Sequence, residues 1–176
     1  PMAGCAWDEA ADWRVWIADQ NPDCEVWSPM RGKDFLREID RIPEGGAKLQ
    51  SPDLARQGID AAVSSQHSIV WRDHWDVSNA DILIVNLLPA VATGVASIGT
   101  CFELAWAWKM QKPALVAMQD INPNTHPFVL EAAYIVLPTL QEVNAAARTL
   151  LNLPLVPDAI QKQNRCKDGC YDQCLT

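Results

Sequence analysis

The stretch DILIVNLLP, residues 81–89, decides the fold class. This apolar run is too short for a long helix and is rich in Ile, Leu and Val, which is typical of a strand buried on both faces of a parallel sheet. Two similar runs follow it, PALVAM at residues 113–118 and AYIVLP at residues 133–138. The three runs predict three buried strands of one mostly parallel sheet.

Helical segments alternate with these strands. The apolar spacing predicts helices over residues 7–20, 101–111 and 140–151. The alternation implies right-handed crossovers and an α/β domain of three layers, with a flavodoxin-like or Rossmann-like sheet. In such sheets the ligand crevice lies beyond the carboxyl ends of the strands, so the loops after Asn86 and Met118 are expected to face the site.

The first part of the chain is less regular. The segment CEVWSP at residues 24–29 predicts a short strand that Pro29 stops. Breakers follow it, and residues 33–41 are compatible with a helix. The chain opens with the turn-like PMAGC, and an apolar strand is expected ahead of Pro1. We therefore interpret the sequence as lacking the first strand of its sheet.

Composition limits the class of protein. The 176 residues are 49% hydrophobic and carry a net charge of −8, which favours one globular domain and argues against a nucleic-acid polymer as partner. No apolar run reaches the roughly 20 residues that span a bilayer, and no signal pattern opens the chain. We expect a cytoplasmic protein without a membrane partner. The chain contains neither a dinucleotide fingerprint nor a P-loop.

The six cysteines do not predict a disulfide framework. Three are scattered through a normal apolar composition and are expected to be reduced thiols: Cys5, Cys24 and Cys101. The other three lie four residues apart in the polar ending: Cys166, Cys170 and Cys174. Such thiols could hold a metal, but no fourth ligand is evident, so a loosely ordered tail over residues 152–176 is favoured.

The segment SIGTCFELA, residues 97–105, places two hydroxyls and a glycine just ahead of a helix whose first turn is expected to contain Glu103. Backbone N–H groups at a helix start can hold an anion or a sugar oxygen. Glu103 would then project into the crevice as a reactive carboxylate. From the residues alone a purely structural interpretation is favoured, because acidic residues are commonly placed near the positive end of a helix.

The pattern S-x-G-T-x-F-E-L-A after NADILIVNL resembles the central signature of the nucleoside 2-deoxyribosyltransferase family and of relatives that hydrolyse nucleoside 5′-monophosphates. The opening PMAGC is similar to the end of the family's first strand, and Trp13-Arg14 to the W-R of its first helix. The resemblance covers residues 1–151, taken as the domain, and leaves the tail unexplained. No residue matches the family tyrosine that positions the nucleophile.

The resemblance implies two catalytic carboxyls. Glu103 would attack C1′ of the sugar and form a glycosyl-enzyme intermediate. Asp73, eight residues ahead of Asp81, would protonate or hold the departing base. An N-cap of a short helix ending at Asn79 is the alternative role for Asp73.

The resemblance also implies the substrate contacts. Ser97 stands where transferases of free nucleosides often carry an Asp for the 5′-OH, and a neutral hydroxyl leaves room for a phosphate. Trp7 is the candidate for stacking on the base, and His126 could serve its own or a neighbouring subunit's site. The full set of expected substrate-binding residues is Met2, Gly4, Trp7, Ser97, Gly99, Thr100, Asn124 and His126.

The expected enzyme cleaves the N-glycosidic bond of a nucleoside and transfers the sugar to another free base, without metal or organic cofactor, as a homo-oligomer. A nucleoside 5′-monophosphate N-glycosidase is the first rival, supported by Ser97. An NAD-cleaving domain of the TIR type is more distant. A nucleotide-binding module without turnover is the alternative from another class of protein.

Overall fold

A computed structural model describes residues 6–31, 33, 37 and 66–155. Within these residues the elements are α1 (Trp7–Gln20), α2 (Gln66–Asn79), β1 (Leu83–Asn86), α3 (Ala90–Thr93), α4 (Ile98–Lys109), β2 (Ala114–Ala117), α5 (Pro127–Ala132), β3 (Ile135–Leu137) and α6 (Leu140–Leu150). None of these helices has both the length and the apolar character needed to cross a bilayer. Apart from the single positions 33 and 37, the predicted helix at 33–41 lies outside the described residues, as do the PMAGC turn and the tail after residue 155.

The three strands form one open parallel sheet in the order β1-β2-β3. Val85 of β1 lies beside Val116 of β2, and Val116 lies beside Val136 of β3. Long crossover connections are required between parallel strands, and helices occupy them here. The predicted mixed α/β class and its three parallel strands are confirmed.

Apolar side chains leave both faces of the central strand. Leu115 and Ala117 are buried against α1 and α6, whose Ile17 and Val143 belong to the same cluster. Ala114 and Val116 point the other way, into a cluster with residues of α2, α4 and α5. Successive side chains of a strand face opposite sides, so a strand covered on both sides must be apolar throughout. This requirement explains the unbroken apolar sequence of β2.

Local signals set several helix boundaries. Thr139 begins α6: its hydroxyl accepts a hydrogen bond from the Glu142 amide at 3.2 Å and donates to the Glu142 carboxylate at 2.7 Å. At the start of α1 the Ala6 amide donates to the Glu9 carboxylate at 2.9 Å. The bonds from the Glu142 and Ala6 amides each satisfy an N–H group that the start of a helix leaves free.

A buried polar cluster joins α1 to α6. The Arg148 guanidinium is only 3% exposed and donates to the Gln20 carbonyl at 2.8 Å and to the Asn21 side chain at 2.9 Å. The Asn21 amide in turn donates to Asn144 at 2.7 Å. Buried polar groups are tolerated when they are paired, so this cluster fixes how the end of α1 sits on α6.

Two predicted elements differ from the structure. Residues 24–29 form no strand but run as irregular chain. The helix predicted at 101–111 begins three residues earlier, at Ile98, so Glu103 lies in its second turn. The influence of the helix dipole is concentrated in the first turn, which weakens the purely structural interpretation of Glu103.

Candidate active site

A cavity of about 570 Å³ lies along the outer edge of β1. Its walls come from β1, from both neighbouring helices α1 and α2, and from the irregular segment at residues 23–29, whereas no residue of β2 or β3 lines it. Because α1 and α2 cover opposite faces of the sheet, a cavity that touches both must lie beside the edge strand rather than above it.

The backbone of β1 explains why this edge is open. The amides of Leu83 and Leu87 donate to carbonyls at the ends of β2, both at 2.9 Å. In a parallel ladder only alternate residues bond to one neighbour, so Ile84 and Asn86 turn their backbone groups outward. No backbone hydrogen bond joins β1 to residues 23–29 in the described chain. The cavity separates the two, and the predicted strand at 24–29 therefore lacks a ladder partner.

Glu103 and Asp73 both line this cavity. Glu103 projects from α4 and Asp73 from the middle of α2, so the alternative role of Asp73 as an N-cap is wrong. The helices are held side by side next to the two carboxyls, since the rings of His74 and Trp106 meet edge to face at 5.0 Å between centroids. The pair that the sequence predicted from separate motifs is thus brought together at one cavity.

The environment of the two carboxyls favours their neutral forms. Burial raises the pKa of Glu103 to about 7, and the negative charge of Asp73 contributes to this rise, whereas Arg14 and Lys33 oppose it. Burial also raises the pKa of Asp73, against the opposing charges of Lys33 and Arg72. Two neighbouring carboxyls repel each other when both are ionised, which favours the state in which one of them is protonated.

Positively charged residues surround the pair. Nη2 of Arg72 lies 3.6 Å from Oδ1 of Asp73. The Arg14 guanidinium sits 4.2 Å above the ring centroid of Trp13, on the wall of the cavity. Lys33 is buried, and its positive charge acts on both carboxyls. Lys33 was not predicted as a site residue. The one signal in the sequence was its position shortly after the predicted strand at 24–29, since the ligand crevice lies beyond the carboxyl ends of parallel strands.

Hydroxyl groups prepare the start of α4. Thr100 lines the cavity together with Glu103, one turn away along the helix. The Ser97 and Thr100 hydroxyls are 2.9 Å apart and hydrogen-bonded to each other. Ser97 stands directly before the helix and lies behind Thr100, outside the lining of the cavity.

Asn124 supports this start from the neighbouring loop. The Ser97 amide donates to Oδ1 of Asn124 at 2.8 Å, and the Asn124 side chain donates to Asn122 at 2.9 Å. Asn122 reaches the Leu87 carbonyl at the end of β1 at 2.8 Å. The predicted substrate residue Asn124 is 2% exposed, and its described contacts tie the loops after β1 and β2 together.

The other predicted binding residues lie apart from the cavity lining. Trp7 begins α1 and has the Arg37 guanidinium 5.1 Å from its ring centroid. Gly99 is exposed on α4 with open space around it. His126 is the N-cap of α5, where Nδ1 accepts from the Phe128 amide at 3.3 Å, and it follows the loop after β2 rather than a strand end. Met2 and Gly4 are outside the described residues.

The site is chemically suited to acid–base and nucleophilic work by carboxyl groups. Within the described ranges, no group of three His, Cys, Asp or Glu side chains is placed to hold a metal ion. Comparisons of the chain with protein-family models, with curated proteins and with solved structures found no match.

Proposed function

We propose that the chain is an enzyme of the nucleoside 2-deoxyribosyltransferase kind, which cleaves the N-glycosidic bond of a nucleoside and transfers the sugar to another base. The observation that carries this proposal is the meeting of Glu103 and Asp73 at one cavity, with raised pKa values. Glycoside cleavage requires one ionised carboxylate and one carboxylic acid at the same bond. A pair in which one carboxyl is ionised and the other is protonated meets that requirement.

In the first step the ionised Glu103 carboxylate forms a bond to C1′ of the sugar. The bond from C1′ to the base nitrogen breaks, and its electron pair leaves with the base. Asp73, in its protonated form, gives its proton to the departing base. The products are a neutral base, a glycosyl ester on Glu103 and an ionised Asp73.

In the second step an acceptor base attacks C1′ through a ring nitrogen. The ester bond breaks, Glu103 leaves as a carboxylate, and Asp73 takes the proton from the acceptor. Two inversions at C1′ give net retention of configuration. If water is the acceptor, the same sequence is hydrolysis, and exclusion of water from the cavity decides between the two outcomes.

Hydrolysis of a nucleoside 5′-monophosphate is the second candidate. It is supported by the hydroxyl pair of Ser97 and Thr100 at the start of α4, because neutral hydroxyls beside free backbone amides accept a phosphate better than a carboxylate would. The cations Arg14, Lys33 and Arg72 around the pair also favour an anionic substrate.

The test compares the wild type with Glu103→Gln, which keeps the shape of the side chain and removes its nucleophilic charge. Each protein is incubated with deoxynucleosides and with their 5′-monophosphates, with and without a free acceptor base, and released base is measured by chromatography. We expect base release or exchange in the wild type and its loss in Glu103→Gln by a factor of at least about 10³.

Glu131→Gln is the matched control, because Glu131 is exposed on α5, away from the cavity. It should retain wild-type activity. Equal activity in Glu103→Gln and the wild type would reject the nucleophile. Nucleotide binding by calorimetry without any base release would favour the alternative of a binding module.

A further inference from the structure

Lys33 is a buried cation without a hydrogen-bond acceptor. Only 2% of its surface is exposed, and its Nζ atom has no hydrogen-bond partner among the described residues. An ammonium group removed from water is costly unless opposite charges compensate it. A lysine in this setting therefore depends on negative charge in its surroundings.

Charged contacts hold the backbone that carries Lys33 against α2. The Arg72 guanidinium donates to the carbonyls of Pro29 at 2.9 Å and Arg31 at 3.1 Å. The Arg31 guanidinium in turn pairs with Asp76 of α2. The Lys33 amide donates to the Met30 carbonyl at 3.1 Å, which ties Lys33 to this anchored segment.

Charged groups from three helices act on the Lys33 ammonium: Arg14 of α1, Arg72 and Asp73 of α2, and Glu103 of α4. Burial lowers the pKa of Lys33 to about 8; Arg72 and Arg14 lower it as well, whereas Asp73 and Glu103 raise it. Lys33 therefore carries its charge at neutral pH and loses it as the pH rises through about 8.

The charge of Lys33 and the charges of the two carboxylates stabilise each other. Oδ1 of Asp73 is buried and has no hydrogen-bond partner in the described part of the chain. Glu103 and Asp73 also repel each other when both are ionised. Opposite charge nearby is then the main means of stabilising their anionic forms.

We propose that Lys33 is a positioning residue of this site, whose buried ammonium adds to the positive charge of Arg14 and Arg72 and so helps Asp73 and Glu103 to ionise. Its importance for catalysis rests on the proposed function, since a nucleophilic Glu103 must be ionised. The electrostatic coupling itself is a property of the folded protein and is measurable without substrate.

The test is a ¹³C NMR titration of the Glu103 side-chain carboxyl in protein labelled at Glu, with the resonance assigned by its absence in Glu103→Gln. In Lys33→Met we expect the pKa of Glu103 to rise above its wild-type value by on the order of one pH unit. Lys33→Arg keeps the charge and should keep the pKa near the wild-type value. An unchanged pKa in Lys33→Met overturns the proposal.

Lys109→Met is the matched control, because it removes an exposed lysine from α4, the helix that carries Glu103. It changes the net charge equally and should leave the Glu103 titration in place. A shift as large as that in Lys33→Met would overturn the proposal, since it would show a general charge effect.

A reciprocal measurement covers the case in which Lys33→Met does not fold. Linkage requires that removal of the Glu103 charge lower the pKa of Lys33, by the same coupling that Lys33 exerts on Glu103. The ¹³Cε titration of Lys33 should therefore move to lower pH in Glu103→Gln. An unchanged Lys33 titration overturns the proposal.

Activity separates the two proposals. If Lys33 acts through Glu103, the acid limb of the kcat/KM profile moves to higher pH in Lys33→Met and returns in Lys33→Arg. If the wild type releases base but the Glu103 titration does not change in Lys33→Met, the role of Lys33 is overturned and the proposed function stands. If the Glu103 titration changes in Lys33→Met but the wild type releases no base, the proposed function is overturned and the role of Lys33 stands.

Discussion

Glu103 opposes folding at the pH where it would act. Burial raises its pKa from 4.5 to about 7, so the folded protein holds a proton that the unfolded chain releases at lower pH. For a carboxyl with a raised pKa, the stabilising contribution is complete below about 4.5 and is lost as the pH rises through about 7. The folded protein is thus less stable when Glu103 is ionised than when it is protonated.

We therefore predict that Glu103→Gln stabilises the protein at pH 8 by about 2 kcal/mol, and that the gain fades toward pH 4.5. Urea unfolding at a series of pH values measures the difference in free energy of unfolding. Glu131→Gln, at an exposed position, should show no such dependence on pH. A gain that is independent of pH would contradict the raised pKa of Glu103.

Ser97 is predicted to influence recognition of the 5′ position of the substrate. Ser97→Asp places a carboxylate beside Thr100, where it would repel a 5′-phosphate and accept a hydrogen bond from a 5′-OH. We expect the kcat/KM ratio of a monophosphate to its deoxynucleoside to fall about ten- to a hundredfold. Thr149→Asp, exposed on α6, adds the same charge elsewhere and should leave the ratio unchanged. An unchanged ratio in Ser97→Asp would show that Ser97 does not influence recognition of the 5′ position.

Single residues were predictable only where a sequence pattern carried them. Glu103 and Asp73 were selected by a motif and a spacing, and both line the cavity. Lys33 belongs to no motif, and the charged groups that act on it come from three helices that are distant in sequence. Asn124 was predicted as a substrate-binding residue of the loop after β2, but no periodicity describes this loop, so its buried hydrogen bonds were not predictable.

At the scale of elements, the loops after β1 and β2 act as one support for α4. We predict that Asn124→Ala destabilises the protein by about 1–3 kcal/mol, because it leaves the Ser97 amide without its acceptor and removes one of the two hydrogen bonds that Asn124 donates to Asn122. Base release should fall as well, since the first turn of α4 presents Thr100 and leads to Glu103. Urea unfolding and kcat/KM measure the two effects.

Asn79→Ala is the control for this change. Asn79 is exposed at the end of α2, and its side chain donates only to the Trp75 carbonyl of its own helix among the described contacts. Its loss should cost less than about 0.5 kcal/mol. Equal costs in the two variants would mean that the loops are joined by other contacts.

Elements buried on two faces were the most predictable from the sequence. The run that became β2 is apolar because helices cover it on both sides, and periodicity detects this condition directly. The strands β1 and β3 are less buried than predicted, and Ile135 of β3 is exposed at the edge of the sheet. The segment at 24–29 has the composition of a strand, but a strand also requires a hydrogen-bonded neighbour. The cavity beside β1 removes that neighbour, a property of the tertiary structure that composition does not contain.

At the scale of the molecule, large apolar side chains cover the outer surface of α2 and α4. Trp71 and Trp108 are 65% and 60% exposed, and Trp75, Ile98 and Phe102 are exposed on the same two helices. Apolar patches of this kind on a water-exposed surface are typical of contacts between subunits. We predict a homo-oligomer that forms through this surface.

Light scattering coupled to size exclusion should give a molar mass of at least two chains for the wild type. The double variant Trp71→Glu, Trp108→Glu should have the molar mass of a single chain. Val15→Glu is the control, because Val15 is 57% exposed on α1, on the other side of the sheet. It should leave the mass unchanged. A wild-type monomer that releases base would contradict the prediction.

The polar cluster of Asn21, Asn144 and Arg148 has a consequence for the order in which the chain acquires its structure. The hydrogen bond between Asn21 and Asn144 joins residues 123 positions apart, so the first described helix is fastened by the last. Contacts of such sequence separation form late and slow folding. During synthesis on the ribosome, we expect α1 to dock only after residue 148 has emerged. In a nascent chain arrested before Leu140, α1 should therefore remain accessible to proteolysis.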